Sequence, residues 1–316
     1  MRSTASIKLA SGPKRLTKNR AALELIFAGV LWGFGFIATV WALRAFTPTE
    51  TLVFRFIIAA IVGEVFYLLA KGPNFTTIRE ELFRALPAGL LLGGMLLLQT
   101  IGLKYTTATK SGFLTSLYVI IVPLLNAWFF KAPSTLKNYL IVGLALAGTF
   151  ILVDANLSGI NAGDLWTIGC SVFAAFHIIY IGKISNRVGN AFRFNNFQSF
   201  WCLLALMPLY IAQERSPMPV DWTPWLGVLC LGLGSSIIAF YLQVRTQRVL
   251  SDSTASMLFL LESPFAAVFG FLILNERLSL FQTLGAITIM IASVLQIWLD
   301  PSNKKAAVSE NKKGSV

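Results

Sequence analysis

Residues 254–299 read TASMLFLLESPFAAVFGFLILNERLSLFQTLGAITIMIASVLQIWL, which is two long apolar segments joined by a short polar bend. Each segment reaches the ~20 residues that an α-helix needs to cross the hydrocarbon core of a bilayer. Glu262 lies inside the first segment, and an ionisable side chain at that depth costs about 2.5–3.5 kcal/mol on insertion scales. Such groups usually face a bundle interior or a water-filled cavity. The stretch therefore predicts two membrane-spanning helices with an ionisable carboxyl group inside one of them.

A proline follows this carboxyl group at position 264. Proline has no backbone N–H, so the carbonyl of Leu260, four residues earlier, is expected to lose its helical hydrogen bond. We therefore expect a helix kink at Pro264, with a free carbonyl close to Glu262.

The composition extends this interpretation to the whole chain. Of the 316 residues, 56% are hydrophobic and 13% are charged, about half the charged fraction of an ordinary soluble domain. Ten apolar segments of spanning length follow one another with short connections. The sequence therefore predicts an all-α polytopic membrane protein with about ten transmembrane helices. The predicted spans are Ala22–Leu43, Thr49–Ala70, Phe83–Lys104, Lys110–Phe130, Leu136–Asp154, Gly163–Lys183, Phe194–Ala212, Thr223–Arg245, Thr254–Leu274 and Ser279–Leu299.

The net charge of +12 lies mostly outside the apolar segments. A basic tail at residues 1–21 and a polar tail at residues 300–316 flank the ten spans, which place both tails on one side of the membrane. That side collects 20 of the 26 Lys and Arg residues. Because basic residues are enriched in cytoplasmic segments, both termini are predicted to be cytoplasmic. This distribution explains the charge, and no nucleic-acid partner is predicted.

The chain also repeats weakly. A shift of 141 positions places Pro123 on Pro264 and Gly93 on Gly234. Each copy then holds five spans, with residues 22–154 in the first copy and residues 155–299 in the second. Because an odd number of spans reverses the orientation of the second copy, the sequence predicts two inverted repeats, as in many secondary transporters. Pro123 and Pro264 are predicted to kink equivalent helices.

Several short motifs resemble the EamA-type, ten-helix members of the drug/metabolite transporter superfamily. They are Leu31-Trp32-Gly33, Phe54-Arg55-Phe56, Tyr105-Thr106-Thr107-Ala108, Leu261-Glu262-Ser263-Pro264-Phe265-Ala266 and Asn275-Glu276-Arg277-Leu278, in this order over roughly residues 22–299. The resemblance implies a carrier of the cell inner membrane, often an exporter of amino acids, related metabolites or drugs, that holds its substrate between the two halves. One departure is Ser134-Thr135 in the first copy, near where the second copy has Glu276-Arg277.

Two ionisable side chains in the spans are candidates for the transport chemistry. Glu262 is interpreted either as a proton or cation site in a central cavity or as a hydrogen-bonded group that holds helices together. Arg55 lies six residues into the second span, where it could bind an anionic group, pair with an acid or anchor the helix at the interface. The alternatives stay open for both residues.

An aromatic face in the sixth span provides further candidates for the substrate cavity. Phe173, His177 and Tyr180 share this face with Phe176, and His177 is the one histidine of the chain. The face could stack against a planar or amphiphilic substrate, or it could be ordinary aromatic packing.

Other spans contribute aromatic and amide side chains. Trp32 is a cavity candidate, although Gly29 and Gly33 beside it indicate close helix packing. Three polar side chains well inside apolar spans or near their ends need hydrogen-bond partners and could line the cavity or join helices; they are Gln99, Tyr118 and Gln243.

Together these features predict a secondary transporter that moves a small organic solute, such as an amino acid, a metabolite or a drug-like compound, by alternating access. Proton coupling through Glu262 and facilitated diffusion both stay open. The alternative within transport is a flippase for a lipid-linked or amphiphilic substrate.

The sequence does not favour an enzyme. A membrane-embedded transferase would need a cluster of acids, histidines or a nucleophile–base pair at one interface, and the sequence contains no such cluster. It contains no P-loop and no Cys/His cluster, so neither a cofactor nor a metal is predicted.

Overall fold

The computed structural model describes residues 16–72, 78–105, 108–131, 135–152, 161–274 and 277–299. Their regular structure is helical, and no strand occurs among them. Residues 1–15 of the predicted N-terminal tail, the whole predicted C-terminal tail and the predicted boundary between the repeats lie outside these residues, as do Ser134 and Glu276. The α-helices are α1 (Lys18–Ala42), α2 (Pro48–Lys71), α3 (Ile78–Tyr105), α4 (Ala108–Ser116), α5 (Tyr118–Phe130), α6 (Leu136–Leu152), α7 (Ala162–Ile184), α8 (Ala191–Ala212), α9 (Thr223–Cys230), α10 (Phe240–Thr246), α11 (Asp252–Phe259), α12 (Glu262–Leu274) and α13 (Leu280–Leu299).

The helices of the described residues group into ten crossings. Among the described residues, eight helical segments are long and apolar enough to cross a membrane, and α6 is a shorter apolar helix of 17 residues. The other crossing is α8, the seventh predicted span, which is less apolar because Asn195, Asn196 and Gln198 lie among its first eight residues. These three side chains are buried inside the bundle. The prediction of an all-α polytopic membrane protein is confirmed.

Three crossings are built from more than one helix. The fourth comprises α4 and α5, and the ninth comprises α11 and α12. In the eighth crossing a π-helical segment, Leu231–Ala239, connects α9 to α10. Such segments are rare in proteins and are often found at functional sites.

The two five-helix halves pack as related copies. The third crossing packs against the sixth and the seventh, and its counterpart, the eighth, packs against the first and the second. The first crossing packs against the ninth, as the sixth packs against the fourth, and the fifth and tenth pack against each other. If crossings one to five are exchanged with crossings six to ten, in order, the same set of contacts is obtained. Since each half has five crossings, the two copies have opposite orientations in the membrane.

The fourth and ninth crossings break close to their prolines. The breaks lie at Leu117 and at residues 260–261, whereas Pro123 lies inside α5 and Pro264 lies in the first turn of α12. The prediction of a free carbonyl at Leu260 is wrong, because this carbonyl accepts a hydrogen bond from the backbone N–H of Ser263 at 3.1 Å. A tighter turn with a bond between residues three apart replaces the partner that proline cannot supply.

The break in the ninth crossing packs against two glycines of α1. A Cβ atom at Gly33 would lie 2.7 Å from the Cβ of Phe265 and 2.9 Å from the backbone oxygen of Glu262. A Cβ atom at Gly29, one turn earlier, would make an ordinary contact at 3.5 Å with the Cβ of Leu261. Only glycine at position 33 permits this approach of the two backbones. The contact with α1 thus positions Glu262 in the bundle.

Candidate functional site

A cavity lies at the centre of the bundle, between the two halves. It has about 700 Å³ of empty space, which includes the part open to solvent. The first four crossings line it from one repeat, and the sixth, eighth and ninth crossings line it from the other. Seven of the side chains singled out in the sequence lie on its wall: Trp32, Arg55, Gln99, Tyr118, His177, Gln243 and Glu262.

Arg55 places a buried positive charge on the cavity wall. The residue is 5% exposed, and its Nε donates a hydrogen bond to the hydroxyl oxygen of Ser236 at 2.6 Å. Within the part of the chain that the structure describes, no acidic side chain forms an ion pair with Arg55. Because a buried charge is costly unless it is paired, the free N–H groups of this guanidinium are suited to an anionic group in the cavity.

Glu262 places a carboxyl group on the same wall. It is the first residue of α12, is partly buried, and has no ion-pair partner among the described residues. From the helical rise of about 1.5 Å per residue, Arg55 lies ~10 Å from the start of α2 at one face, and Glu262 lies ~15 Å from the start of α11 at the other. The two charges lie on different crossings of the cavity wall, and no ion pair joins them among the described residues.

Two hydrogen-bond donors on the wall also lack a protein partner. The indole Nε1 of Trp32 and the hydroxyl of Tyr118 are buried, and neither has a hydrogen-bond partner among the described residues. The ring of Trp32 lies between those of Phe240 and Phe259, with ring centres 5.2 and 5.1 Å away. Since buried polar groups are nearly always hydrogen-bonded, unpaired donors beside an aromatic cluster are typical of a ligand site.

His177 belongs to a chain of hydrogen bonds behind the cavity wall. The residue is 1% exposed, and its Nε2 lies 3.2 Å from Oε1 of Gln198. The Nε2 of Gln198 donates to Oδ1 of Asn195 at 2.7 Å. Asn195 in turn donates through Nδ2 to the backbone carbonyls of Ser236 and Ile237, at 2.9 and 3.1 Å. These carbonyls belong to the π-helical segment, so the chain joins the sixth, seventh and eighth crossings.

Gln99 and Gln243 line the cavity and also bond to neighbouring groups. The Nε2 of Gln99 donates to the hydroxyl of Thr115 in the fourth crossing at 3.3 Å. The Nε2 of Gln243 donates to Oε1 of Gln247 at 3.1 Å, and Gln247 donates to the carbonyl of Ile178 in the sixth crossing at 2.9 Å. Cavity lining and helix joining, which the sequence posed as alternatives, occur together here.

Phe173 and Tyr180 do not line the cavity, although they share a helical face with His177. Phe173 is 38% exposed and packs against Gly94 of α3. The hydroxyl of Tyr180 donates to the backbone carbonyl of Arg84 at 2.7 Å, near the start of α3. The helical period correctly places the three residues on one face of α7, but α3 packs over both ends of that face. Of the three residues predicted to form an aromatic stacking surface on the sixth span, only His177 therefore reaches the cavity.

The structure adds lining residues that the sequence interpretation did not select. Besides aliphatic residues, they include the aromatic and hydroxyl side chains of Phe36, Thr39, Thr115, Ser235, Phe240 and Phe259. The internal repeat could have identified one of them, because the shift of 141 positions places Tyr118 on Phe259. Phe240 and Ser235 lie in an apolar stretch with no pattern that separates cavity from packing, and nothing in the sequence distinguishes them.

Ion pairs join the crossings on the side of the bundle where α1 begins. The Nε of Arg245 lies 3.2 Å from a carboxylate oxygen of Glu24, which links the eighth crossing to the first. The buried Arg193 lies 3.4 Å from a carboxylate oxygen of Glu64, which links the seventh crossing to the second. These contacts connect helices of both repeats at one face.

A bundle of two inverted five-helix repeats around a central cavity is an architecture of secondary transporters. The sequence pattern of the EamA-like transporter family matches residues 19–154 and 161–298, and the chain belongs to this family. It is therefore a membrane transporter with two EamA-like repeats.

Relatives of the chain are described as transporters. An uncharacterized transporter of Archaeoglobus fulgidus is 29% identical over 289 residues, which cover 92% of this chain and 89% of the relative. The uncharacterized inner membrane transporter YicL of Salmonella typhimurium is 24% identical over 301 residues, covering 91% and 98% of the two chains. A solved crystal structure that is 20% identical superposes with a TM-score of 0.73 and covers 91% of this chain and 99% of its own, which shows a shared fold.

Proposed function

We propose that the protein is a secondary transporter that moves a small organic solute across the cell membrane by alternating access, with the central cavity as its binding site. The observation that carries the proposal is that Arg55 and Glu262 line one cavity without pairing with each other. The wall combines aromatic and aliphatic side chains with a few polar and charged groups, as is usual for small-molecule sites.

The chemistry of the wall favours a solute with charged ends and an apolar body. The planar guanidinium of Arg55 suits a carboxylate or another planar anion. Glu262 suits a protonated amine, and the rings around Trp32 suit an apolar or aromatic portion between the two. Amino acids and metabolites with both groups fit this description.

Glu262 also supports coupling to protons. A carboxyl group at membrane depth that is wetted from one side and then from the other can load and release a proton during the cycle. We propose that this exchange drives export, with both termini in the cytoplasm, as the distribution of Lys and Arg indicates.

The coupling test uses purified protein in liposomes. Amino acids, carboxylates, amines and sugars are screened for accumulation with and without an imposed proton gradient. Glu262→Gln keeps the shape of the side chain but cannot ionise. We therefore expect it to bind amine-bearing solutes more weakly, to retain binding of carboxylate solutes through Arg55, and to lose proton-driven accumulation. Glu214→Gln, an exposed glutamate in the connection after α8, serves as the matched control and should behave as wild type. Proton-driven accumulation that survives unchanged in Glu262→Gln would refute the coupling.

The anion site is tested with Arg55→Gln. Charge-assisted hydrogen bonds contribute about 1.5–3 kcal/mol, so the preference for a carboxylate solute over its amide should fall by roughly 10- to 100-fold. Arg44→Gln removes an exposed arginine at the same face and should leave the preference intact. An equal preference in wild type and Arg55→Gln would exclude Arg55 as the anion site.

The orientation is tested by cysteine labelling in intact cells. Val220, 99% exposed in the connection between the seventh and eighth crossings, should react as Val220→Cys with a membrane-impermeant thiol reagent. Lys131→Cys, exposed after α5 on the opposite face, should react only after the membrane is opened. The reverse pattern would place the termini outside.

A further inference from the structure

The hydrogen-bond chain behind the cavity has a fixed direction. The backbone carbonyls of Ser236 and Ile237 can only accept, so Asn195 must direct its Nδ2 toward them and its Oδ1 toward Gln198. Gln198 must then donate through Nε2 to that oxygen and direct its own Oε1 toward His177. Because an amide oxygen can only accept, the proton of the neutral imidazole lies on Nε2 of His177.

The members of the chain are almost completely buried. Asn195 and His177 are each 1% exposed, and Gln198 is 0% exposed. At this depth an unsatisfied amide is costly, so reversing either amide would leave buried groups that face each other with the same polarity. The backbone of the π-helical segment thus determines the tautomer of a histidine two helices away.

We propose that Asn195 and Gln198 are positioning residues that hold His177 in its Nε2–H tautomer, so that Nδ1 is a hydrogen-bond acceptor for an N–H or O–H group of the solute. His177 lines the cavity, and no protein group bonds to its Nδ1 within the described residues. The unpaired groups of Arg55, Trp32 and Tyr118 on the same wall supply donors. His177 and Glu262 supply the acceptors that an amine or a hydroxyl group needs. The proposal rests on the proposed function in one respect, namely that the cavity holds a solute.

The single histidine makes the tautomer directly measurable. Protein labelled with ¹⁵N-histidine and purified through a tag without histidine gives ring nitrogen signals from His177 alone. In lipid nanodiscs and mildly alkaline buffer, where an ordinary imidazole is neutral, we expect a protonated Nε2 and an unprotonated Nδ1. A protonated Nδ1, or an average of both tautomers, in the wild-type protein would overturn the proposal without reference to any variant.

Removing either amide of the hydrogen-bond chain should allow His177 to adopt both neutral tautomers. Gln198→Leu and Asn195→Leu should each shift the two ring nitrogen signals toward an average. Gln243→Leu removes another buried glutamine on the cavity wall, one that bonds to Gln247 outside this chain, and should leave the signals unchanged. Wild-type signals in both leucine variants of the chain would show that Asn195 and Gln198 do not position the ring.

The acceptor role of Nδ1 is tested with two cations that carry the same charge and the same butyl group. Butylamine, in its protonated form, carries N–H donors, whereas butyltrimethylammonium carries none. We expect butylamine to shift the Nδ1 signal of the wild-type protein and butyltrimethylammonium to leave it in place. A shift with both compounds, or with neither, would overturn the acceptor role. Failure of transport in liposomes would instead contradict the proposed function and leave the tautomer result standing.

Discussion

Gly33→Ala tests the packing that positions the carboxyl group. The added Cβ would meet the Cβ of Phe265 at 2.7 Å and two backbone atoms of the ninth crossing, the nitrogen of Ala266 and the oxygen of Glu262, at 2.9 Å each. Backbone atoms cannot rotate away, so the cost belongs to the upper part of the range of about 1–3 kcal/mol for overpacking. Alanine recovers up to about 1 kcal/mol over glycine in a helix, which leaves a net loss of roughly 1–2 kcal/mol.

The matched control lies one turn earlier in the same helix. Gly29→Ala would meet the nearest atom at 3.5 Å, an ordinary contact, so its stability should be unchanged or raised by up to about 1 kcal/mol. Thermal unfolding of both variants in the same detergent, followed by tryptophan fluorescence, measures the difference. Proton-driven transport should also fall in Gly33→Ala, because Glu262 is displaced with the helix. Equal unfolding midpoints for the two variants would refute this account of the contact.

Two further substitutions test packing away from the cavity. Tyr180→Phe removes the hydrogen bond to the carbonyl of Arg84 and should lower stability by about 1 kcal/mol in thermal unfolding, with solute affinity unchanged; an altered affinity would mean that Tyr180 acts in the site after all. Gly285→Ala would press a Cβ to 2.6 Å from the carbonyl oxygen of Gly148 and should destabilise the contact between the fifth and tenth crossings, whereas Gly143→Ala meets no atom within 4 Å and should not; a stability ranking in the opposite order would contradict the helix contact.

The fold could be predicted because each apolar segment is recognisable from its own sequence, and because the number of segments in each half is odd. Ten apolar segments and two related halves require opposite orientations, whatever the details of packing. The seventh crossing is the instructive case, because Asn195 and Gln198 weaken its hydropathy and make it the hardest to recognise. Both residues are buried, because Asn195 bonds to backbone carbonyls of the eighth crossing and Gln198 bonds to His177 of the sixth. Such partners cannot be identified from one segment. The carbonyl of Leu260 shows the same limit, since a local rearrangement of the turn supplies its partner.

The sequence identified residues of the candidate site where a charged or polar side chain stands out in an apolar span. Glu262 and Arg55 are charged residues in apolar spans, and His177, Gln99 and Gln243 are polar residues in such spans. All five lie on the cavity wall. Phe173 and Tyr180 are ordinary aromatic residues, and their position depends on how α3 covers the sixth crossing. For the same reason Phe240 could not be selected among the many phenylalanines of the chain.

The equivalence of the two halves is incomplete at Glu262. The shift that pairs the prolines places Ile121 opposite Glu262, so the first copy carries a hydrocarbon side chain where the second carries an acid. In a carrier built from inverted copies, exchange of the conformations of the two halves interconverts its two access states. Identical halves would make these states equal in free energy by symmetry. The two halves of this chain differ at many positions, and Glu262 is one of the differences that can change its charge. In the proposed cycle, protonation of Glu262 would therefore change the free-energy difference between the two access states.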